Sequence, residues 1–267
     1  AEIKLQKVSV GATENLILAA TLADGKTTIT NAAREPEISD LCNMLIKMGA
    51  EIKGVGTSRI VINGQRNLNG CSYKIMPDRI ESGTFVLCVF GCSGTVILKN
   101  LNIEICNHLI KIFKKLVSLE FKILNKGKNL LVRKVKEKKI CISLKTKEYP
   151  GFPTDLQAQL TSALLKTKGK SEIVENIFEN RFMHISELIR MGAKLIQKGS
   201  KVIINGTDKL NGAEVMATDL RASSSLIIAG LMANGKTTIN RVYHLDRGYE
   251  NIEKKLKQCG AKINRLK

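Results

Sequence analysis

The chain has 267 residues, of which 43% are hydrophobic and 25% are charged, an ordinary balance for a globular protein with one large core or two smaller ones. Its apolar runs are too short to cross a membrane, and no signal peptide opens it. Lysine and arginine exceed aspartate and glutamate by 19, a surplus that attracts anions such as nucleic acids or phosphorylated metabolites. The lysines are scattered and aromatic residues make up only 4% of the chain, so nucleic-acid binding is disfavoured.

The cysteines give no support for a metal site or a disulfide framework. Their number, seven, is odd, and no CxxC pair occurs. Cys42 and Cys259 are predicted to lie on the apolar stripes of helices, where cysteine acts as a small hydrophobic residue. The pattern indicates a reducing, cytoplasmic location.

The first predicted elements form a set that recurs along the chain. A strand over Ile3 to Val10 begins so close to Ala1 that the start of the chain looks cut. A helix over Ala12 to Ala23 and a short β-branched strand come next. A second helix ends at Met48-Gly-Ala50. Two strands joined by a turn at Asn63-Gly64 complete the set. The apolar residues of this second helix recur at helical spacing: Ile38, Leu41, Leu45 and Met48.

Two segments of this set return almost unchanged. Ser58-Arg-Ile-Val-Ile-Asn-Gly-Gln-Arg-Asn-Leu-Asn-Gly70 reappears as Ser200-Lys-Val-Ile-Ile-Asn-Gly-Thr-Asp-Lys-Leu-Asn-Gly212. Strand openings that begin with glycine occur four times, at Gly25, Gly94, Gly169 and Gly235. The period is therefore roughly βαβαββ. Such a unit cannot bury both faces of its sheet alone, so several must share a core. We expect an α/β protein of four repeats.

The second copy has drifted from the pattern. At the end of its second helix, Val117-Ser-Leu-Glu120 stands in place of Met-Gly-Ala. The residues from Lys126 to Lys139 are rich in lysine. We interpret this as a tolerant region with a longer exposed hairpin. A binding role for the lysine run is the alternative, although charge runs are usually solvated faces.

Arginines stand where strands lead into helices, the points at which backbone N–H groups of such folds converge on anions. A cation in the first turn of a helix opposes the helix dipole, which suggests anion recognition. The alternative is pairing with a local carboxylate: Glu35 for Arg34, Asp78 for Arg79 and Asp219 for Arg221. The sequence leaves both readings open. The five arginines are Arg34, Arg79, Arg181, Arg221 and Arg247.

Asp155 follows Phe152-Pro-Thr154 and opens a predicted helix over Leu156 to Leu164. The ordinary role of aspartate at such a position is to cap the helix N-terminus, which is worth about 1 kcal/mol. The functional alternative is a general base, although a helix N-terminus favours the ionised carboxylate and so weakens it as a base.

Six segments in order along the chain resemble signature segments of the UDP-N-acetylglucosamine enolpyruvyl transferases. They span essentially the whole sequence, and the related shikimate-pathway enzyme is not expected to carry them. The segments are Lys7-Val-Ser-Val-Gly-Ala12, Asn31-Ala-Ala-Arg-Glu-Pro-Glu37, Phe152-Pro-Thr-Asp-Leu-Gln-Ala-Gln159, Phe178-Glu-Asn-Arg-Phe-Met-His184, Met216-Ala-Thr-Asp-Leu-Arg-Ala222 and Tyr243-His-Leu-Asp-Arg-Gly-Tyr249.

The resemblance implies an inside-out α/β barrel with six βαβαββ repeats in two domains and an active site in the cleft between the domains. Residues 1–76 would be the last repeat of the first, catalytic domain, and residues 77–267 the second domain of three repeats. The implied reaction transfers enolpyruvyl from phosphoenolpyruvate to the 3-hydroxyl of UDP-N-acetylglucosamine, releasing phosphate. It needs no metal ion or organic cofactor and is the first committed step of peptidoglycan synthesis.

The resemblance also assigns roles to residues at matching positions. Asp155 would take the proton of the sugar hydroxyl, Arg247 would hold the phosphate and carboxylate of phosphoenolpyruvate, and Arg221 would support it. Fixed cations suit a substrate with two anionic groups. The implied contacts to UDP-N-acetylglucosamine are Lys7, Val8, Ser9, Val10, Asp155 and Ile177.

The chain departs from the family in two ways. Four repeats stand where the family has six, so an N-terminal third with the lid loop and a Lys-Asn pair would be missing, and the family's histidine before the Phe-Pro-Thr-Asp motif is Tyr149. By itself the chain is therefore expected to be inactive: either the sequence is a truncated part of the enzyme, or a separate N-terminal polypeptide completes it. The alternatives are a non-catalytic UDP-sugar-binding remnant and, from the charge alone, a basic RNA-binding module.

Overall fold

The computed structural model describes residues 1–135 and 141–266, which divide into two compact units. The first unit is Ala1–Pro77 together with Glu148–Gly151, and the second contains the other described residues. No helix in these two ranges is long and apolar enough to cross a membrane. The assignment of the units to the domains of a longer enzyme stays a prediction.

The first unit contains one repeat with a four-stranded sheet in the order β1-β2-β4-β3. Strands β1 and β2 are parallel, and the remaining pairs are antiparallel. This is the βαβαββ order that the sequence predicts. The elements are β1 (Glu2–Lys4), α1 (Val10–Thr21), β2 (Lys26–Thr30), α2 (Pro36–Lys47), β3 (Glu51–Lys53) and β4 (Arg59–Asn63).

The predicted first strand is too long. Only Glu2–Lys4 is extended, because Ser9 caps α1 with its hydroxyl oxygen, which accepts a hydrogen bond from the Ala12 backbone N–H at 3.3 Å. The helix therefore begins at Val10. The β-branched residues before it fit a strand by composition, but the capping serine decides where the helix starts.

The predicted turn at Asn63-Gly64 is wrong. Strands β3 and β4 are joined by the loop over residues 54–58, and Gly64 lies beyond β4. Its backbone runs against the end of α1, where a Cβ on Gly64 would lie 1.7 Å from the carbonyl oxygen of Ala23. Gly206 stands in the same relation to Thr167, again at 1.7 Å. The repeated Asn-Gly pair therefore marks a close crossing of backbones, and glycine is required because it has no Cβ.

The second unit contains the helices and strands that correspond to the other three copies of the sequence repeat. Residues 78–135 form α3 (Arg79–Cys92), β5 (Thr95–Leu98), α4 (Ile103–Leu116), β6 (Leu119–Leu124) and β7 (Asn129–Lys134). Residues 141–212 form β8 (Ser143–Lys145), α5 (Gln157–Ala163), β9 (Lys170–Val174), α6 (His184–Arg190), β10 (Lys194–Lys198) and β11 (Lys201–Asn205). Residues 213–266 form β12 (Glu214–Met216), α7 (Leu220–Met232), β13 (Thr238–Asn240), α8 (Tyr243–Asp246) and α9 (Ile252–Gln258).

One sheet of the second unit has the same strand order as the sheet of the first unit, and the other two described sheets have fewer strands. The order β8-β9-β11-β10 matches β1-β2-β4-β3 strand for strand, including one parallel pair. The other described sheets are β5-β7-β6 and β12-β13. The drifted copy keeps its hairpin, since β6 and β7 pair in antiparallel register from Leu119 with Lys134 to Leu124 with Asn129. The lysines of that copy at 136, 138 and 139 lie outside the described residues.

The absence of a glycine explains why the second helix of the second copy ends differently. In the other three copies a left-handed glycine follows the second helix: Gly49, Gly192 and Gly260 have φ values of 103°, 93° and 91°. Without it, Val117 leaves α4 directly in an extended conformation. The prediction for cysteine is confirmed at Cys42, which is fully buried, and wrong at Cys259, which is exposed.

The core of the second unit is built from its three first helices, α3, α5 and α7, which pack against one another. All seven residues of α5 are buried. Small side chains allow this close packing: a Cβ on Gly83 of α3 would lie 2.6 Å from Leu156 Cδ1, and serines fill the middle of α7. These central helices carry or adjoin the residues of the candidate site, which fixes that site on a rigid support.

Candidate active site

Asp155 lies in a short 3-10 turn, Thr154–Leu156, that leads into α5. Its carboxylate caps neither helix, so the capping interpretation is wrong. Instead, Oδ1 accepts hydrogen bonds from Arg181 Nη2 at 2.7 Å and from Arg221 Nε at 3.0 Å. The side chain of Asp155 is 37% exposed, whereas those of Arg181 and Arg221 are 16% and 17% exposed. One partly open carboxylate thus lies between two mostly buried guanidinium groups.

The helix start at α7 determines how Arg221 reaches Asp155. Asp219 Oδ1 accepts from the backbone N–H groups of Arg221 and Ala222, at 2.7 and 2.9 Å, and so caps the helix. The carboxylate next to Arg221 in sequence therefore binds its backbone. The expected side-chain pairing of Arg221 with Asp219 is wrong, because the guanidinium pairs with Asp155.

The charges in this cluster reinforce one another. Burial alone would raise the pKa of Asp155, but the positive charges and hydrogen bonds of Arg221 and Arg181 outweigh it and lower the pKa. Burial would likewise lower the pKa of Arg221, and the nearby Asp155 and Tyr249 raise it instead. At neutral pH the cluster therefore carries one negative and two positive charges, and its excess positive charge suits an anionic ligand.

A buried polar network lies behind the pair of Asp155 and Arg221. Tyr249, 1% exposed, lies near Arg221 and helps to raise its pKa, and the tyrosine hydroxyl lies 2.8 Å from Thr84 Oγ1. Gln159 Nε2 donates to the Tyr249 hydroxyl at 3.3 Å and to the carbonyl oxygen of Asp155 at 2.8 Å. No sequence motif predicts a role for these residues. The apolar pattern of the first helices is broken by Thr84 and Gln159, and that break is the signal that indicates them.

Arg181 belongs to the cluster, although the resemblance gave it no role. Its guanidinium lies 4.6 Å from the ring centroid of Phe178, a cation–π contact, while Nη2 binds Asp155. Arg181 Nε is buried and has no hydrogen-bond partner among the described residues. Next to Phe178, Ile177 is 37% exposed. The loop over residues 175–183 therefore presents a cation and an exposed apolar surface beside Asp155.

Arg247, the other predicted ligand of phosphoenolpyruvate, lies outside this hydrogen-bonded cluster. It ends α8, and its exposed guanidinium makes no hydrogen bond or ion pair within residues 1–135 and 141–266. The structure thus brings Arg221 to Asp155 and leaves Arg247 available to a ligand.

The predicted nucleotide-binding segment lies in the first unit, at the start of α1. Lys7 and Ser9 are exposed, and Val8 and Val10 are half-buried. The first turn of α1 contains no acidic residue. A lysine beside an uncompensated helix N-terminus is a favourable place for a diphosphate, because the first backbone N–H groups have no partner within the helix.

Arg34 and Glu35, suggested as a local ion pair, both bind the backbone of another residue instead. Arg34 Nη2 donates to the carbonyl oxygen of Tyr149 at 3.2 Å, and Glu35 Oε1 accepts from the Tyr149 backbone N–H at 3.4 Å. Both side chains therefore hold the backbone of Tyr149. Asp78 caps α3 by accepting hydrogen bonds from the backbone N–H groups of Ile80 and Glu81, and Arg79 is buried.

In the described part of the chain, no group of three or more His, Cys, Asp or Glu residues is arranged to hold a metal ion.

The imidazole of His184, at the start of α6, is buried, so protonation of this side chain makes the stability of the fold depend on pH. Burial lowers its pKa to about 4; Asp219 opposes this shift, and Arg181 adds to it. The unfolded chain binds a proton near pH 6.5, so the stability due to neutral His184 is lost as pH falls from about 6.5 to about 4. The full loss is about 3 kcal/mol at 1.4 kcal/mol per pKa unit.

Urea unfolding of the wild type and of His184→Gln at about pH 7.5 and about pH 4.5 measures this loss. Glutamine does not titrate, so the wild type is expected to lose about 2–3 kcal/mol more than the variant between the two pH values. The carboxylates are common to both proteins and cancel in the difference. Equal losses in the two proteins would contradict the prediction.

Comparison with known proteins places this geometry among the enolpyruvyl transferases. The family model for EPSP synthase (3-phosphoshikimate 1-carboxyvinyltransferase) matches residues 1–256. A UDP-N-acetylglucosamine 1-carboxyvinyltransferase of Pelagibacter ubique is 53% identical over 266 residues, which are 100% of this chain and 63% of that protein. Those of Rickettsia felis and Caldanaerobacter subterraneus are 51% and 50% identical over 97% and 99% of this chain, and 61% and 63% of their own lengths.

Solved structures with low sequence identity share the fold. The enolpyruvyl transferase NikO from Streptomyces tendae has a TM-score of 0.84 at 24% identity, over 96% of this chain and 60% of that one. An EPSP synthase from Acinetobacter baumannii has a TM-score of 0.72 at 20% identity, over 100% and 64%. The predicted α/β fold of enolpyruvyl transferase type is thereby confirmed, while the total of six repeats stays a prediction. The chain spans less than two thirds of the length of these curated relatives.

Proposed function

The chain belongs to the EPSP synthase (3-phosphoshikimate 1-carboxyvinyltransferase) family, and we propose that it is the C-terminal part of an enzyme that transfers enolpyruvyl from phosphoenolpyruvate to the 3-hydroxyl of UDP-N-acetylglucosamine. The observation that carries the proposal is the carboxylate of Asp155 held between two buried arginines. The names of the relatives at 50–53% identity favour UDP-N-acetylglucosamine over shikimate 3-phosphate as the acceptor. The proposal includes a cytoplasmic location and a part in peptidoglycan synthesis.

Asp155 is the proposed general base. A base must be ionised before it accepts a proton, and the two arginines ensure this by lowering its pKa. The same arginines make the carboxylate a weak base. Phosphoenolpyruvate carries a phosphate and a carboxylate that compete with Asp155 for guanidinium groups. Substrate binding would therefore weaken the hold of Arg181 and Arg221 on Asp155, and its pKa would rise when the base is needed.

The anionic groups of the two substrates have different proposed partners. Arg247 and Arg221 would bind phosphoenolpyruvate, since planar guanidinium groups bind phosphate and carboxylate in pairs of hydrogen bonds. Lys7 and the N-terminus of α1, with Val8, Ser9 and Val10, would contact the UDP moiety. Ile177 is a further proposed contact to UDP-N-acetylglucosamine.

Calorimetric titration of the chain with UDP-N-acetylglucosamine tests the proposal. Binding is expected, and Lys7→Met is expected to weaken it about tenfold by removing one charge-assisted contact to phosphate. Lys4→Met, an exposed lysine of β1, is the matched control and should bind like the wild type. The absence of any binding by the wild type, together with salt-dependent binding of single-stranded RNA, would overturn the proposal in favour of an RNA-binding module.

A second candidate, a UDP-sugar-binding protein without catalysis, is favoured by the drift of the second repeat, which lacks the glycine that follows the second helix in the other copies. Phosphate release from phosphoenolpyruvate in the presence of UDP-N-acetylglucosamine separates the two. The chain is assayed alone and then mixed with the N-terminal part of the Pelagibacter ubique relative that it does not match. Turnover only in the mixture supports a split enzyme, whereas nucleotide binding without turnover in either supports the remnant.

A further inference from the structure

Glu175 is a buried carboxylate whose four hydrogen-bond donors come from three separate segments. It is 4% exposed. Its Oε1 accepts from Thr146 Oγ1 at 2.8 Å and from the backbone N–H groups of Ile177 and Phe178 at 2.8 and 3.0 Å. Its Oε2 accepts from Thr154 Oγ1 at 2.9 Å. These partners lie after β8, in the turn that holds Asp155, and in the loop after β9.

The position of Glu175 departs from the pattern of the repeats. It is the sixth residue after Gly169, and the sixth residues after Gly25, Gly94 and Gly235 are Asn31, Asn100 and Arg241. Those three residues are left-handed, with φ values of 58°, 57° and 58°, whereas Glu175 lies outside that region. Among the described residues, the copy that contains Asp155 therefore lacks the left-handed residue at this position, and its left-handed residue is Asn180, five positions later. Departures from a local rule concentrate at functional sites.

The cost of burying this charge also requires an explanation. A carboxylate removed from water is strongly destabilising unless its oxygens are hydrogen-bonded. Glu175 makes no ion pair with the described residues, so its compensation comes from the four donors. An apolar residue would fill the space without that requirement. What the carboxylate adds is direction, since each donor fixes the orientation of a segment.

We propose that Glu175 is a positioning residue, which sets Asp155 and the Ile177–Phe178 loop for the sugar nucleotide, an inference that rests on the proposed function. One oxygen holds Thr154, the residue directly before Asp155. The other holds the backbone of Ile177 and Phe178, and Phe178 in turn contacts Arg181, a partner of Asp155. One side chain therefore orients the base and the loop beside it.

Three substitutions in the full chain separate these links. Glu175→Ala removes both, Glu175→Gln keeps the Oε1 acceptor, and Thr154→Val removes only the link to the turn that holds Asp155. Thr161→Val is the matched control, because Thr161 is buried in α5 and its hydroxyl forms hydrogen bonds only with Gln157 among the residues that the structure describes. Hydrogen exchange at the amides of Ile177 and Phe178 reports on the loop, and the carboxyl pKa of Asp155 by carbon-detected NMR reports on the turn.

Glu175→Ala is expected to speed exchange at Ile177 and Phe178 about 10- to 100-fold, because each amide loses a bond to a charged acceptor, while α5 and α7 amides change little. Glu175→Gln should retain most of the protection. Thr154→Val should leave this exchange unchanged but raise the pKa of Asp155 towards its ordinary value, which Thr161→Val should not do. Unchanged exchange in Glu175→Ala, or an equal increase across the core helices, would overturn the inference.

Affinity for UDP-N-acetylglucosamine then separates the inference from the proposed function. If the wild type binds, Glu175→Ala is expected to bind about tenfold more weakly than Thr161→Val, and equal binding would overturn the positioning role. If the wild type does not bind, the proposed function fails. The exchange and pKa measurements still decide whether Glu175 orients these two segments.

Discussion

Asp155→Asn is expected to lower turnover by about 10²–10⁴, the usual contribution of a positioned general base, and to leave the affinity for UDP-N-acetylglucosamine almost unchanged. Asparagine keeps the shape and one acceptor for Arg181 and Arg221 but cannot take the proton of the sugar hydroxyl. The measurement is phosphate release by this chain completed with the unmatched N-terminal part of the Pelagibacter ubique relative, together with the nucleotide dissociation constant.

Stability has to be followed in the same variant, because Asp155 also neutralises two buried arginines. Since the carboxylate is partly exposed, we expect its loss to cost only about 1 kcal/mol, which leaves the protein folded. Asp208→Asn, an exposed aspartate that makes no ion pair with the described residues, is the control and should retain full turnover. Turnover of Asp155→Asn within a few-fold of the wild type would show that Asp155 is a structural ion-pair partner and that the base lies elsewhere.

Gly206→Ala is expected to have the largest effect on stability, a loss of about 3 kcal/mol or more. The new methyl group would lie 1.7 Å from the carbonyl oxygen of Thr167. A backbone carbonyl cannot rotate away as a flexible side chain can, so α5 and β11 would have to separate. Urea or thermal unfolding measures the change, and Gly64→Ala, which meets Ala23 at the same distance, should lose a similar amount.

Gly70→Ala is the matched control for these two variants. An added Cβ at Gly70 meets nothing within 4 Å, and its φ is not in the left-handed region, so its stability should change by about 0.5 kcal/mol at most. A Gly206→Ala protein as stable as Gly70→Ala would contradict the close crossing of the two backbones. In that case the repeated Asn-Gly pair would have only a conformational role.

The sequence predicts this fold well because its signals are local and occur four times. Helical spacing of apolar residues in α2 and the glycine at its end indicate that helix without knowledge of any neighbour. Repetition then carries the same order of elements into copies with weaker local signals. Errors occur where the competing signals are equally local, as in the segment before Ser9, where β-branched composition favours a strand and the serine cap determines the start of α1.

The candidate site is predicted less completely. Asp155, Arg221 and Arg247 are predicted through the resemblance to a family, and Arg181 is one of the arginines at strand-to-helix junctions. From the residues alone, two local alternatives stay open: pairing of Arg221 with Asp219, the nearest carboxylate, and capping of a helix by Asp155. The structure reverses both readings, because the partners of Asp155 lie 26 and 66 residues away along the chain.

By itself, therefore, the sequence determined the repeat, the order of helices and strands, and the residues able to bind an anion, all of which follow from the periodicity and conformational preferences of neighbouring residues. Only the tertiary structure decided which charges meet, which glycine lies against a carbonyl oxygen, and that Glu175 accepts hydrogen bonds from three separate segments. The pairing of Asp155 with Arg221, for example, joins the starts of α5 and α7, which pack against each other. Pairings between residues far apart in the chain exist only when packing brings them together and excludes water, so no local pattern can specify them.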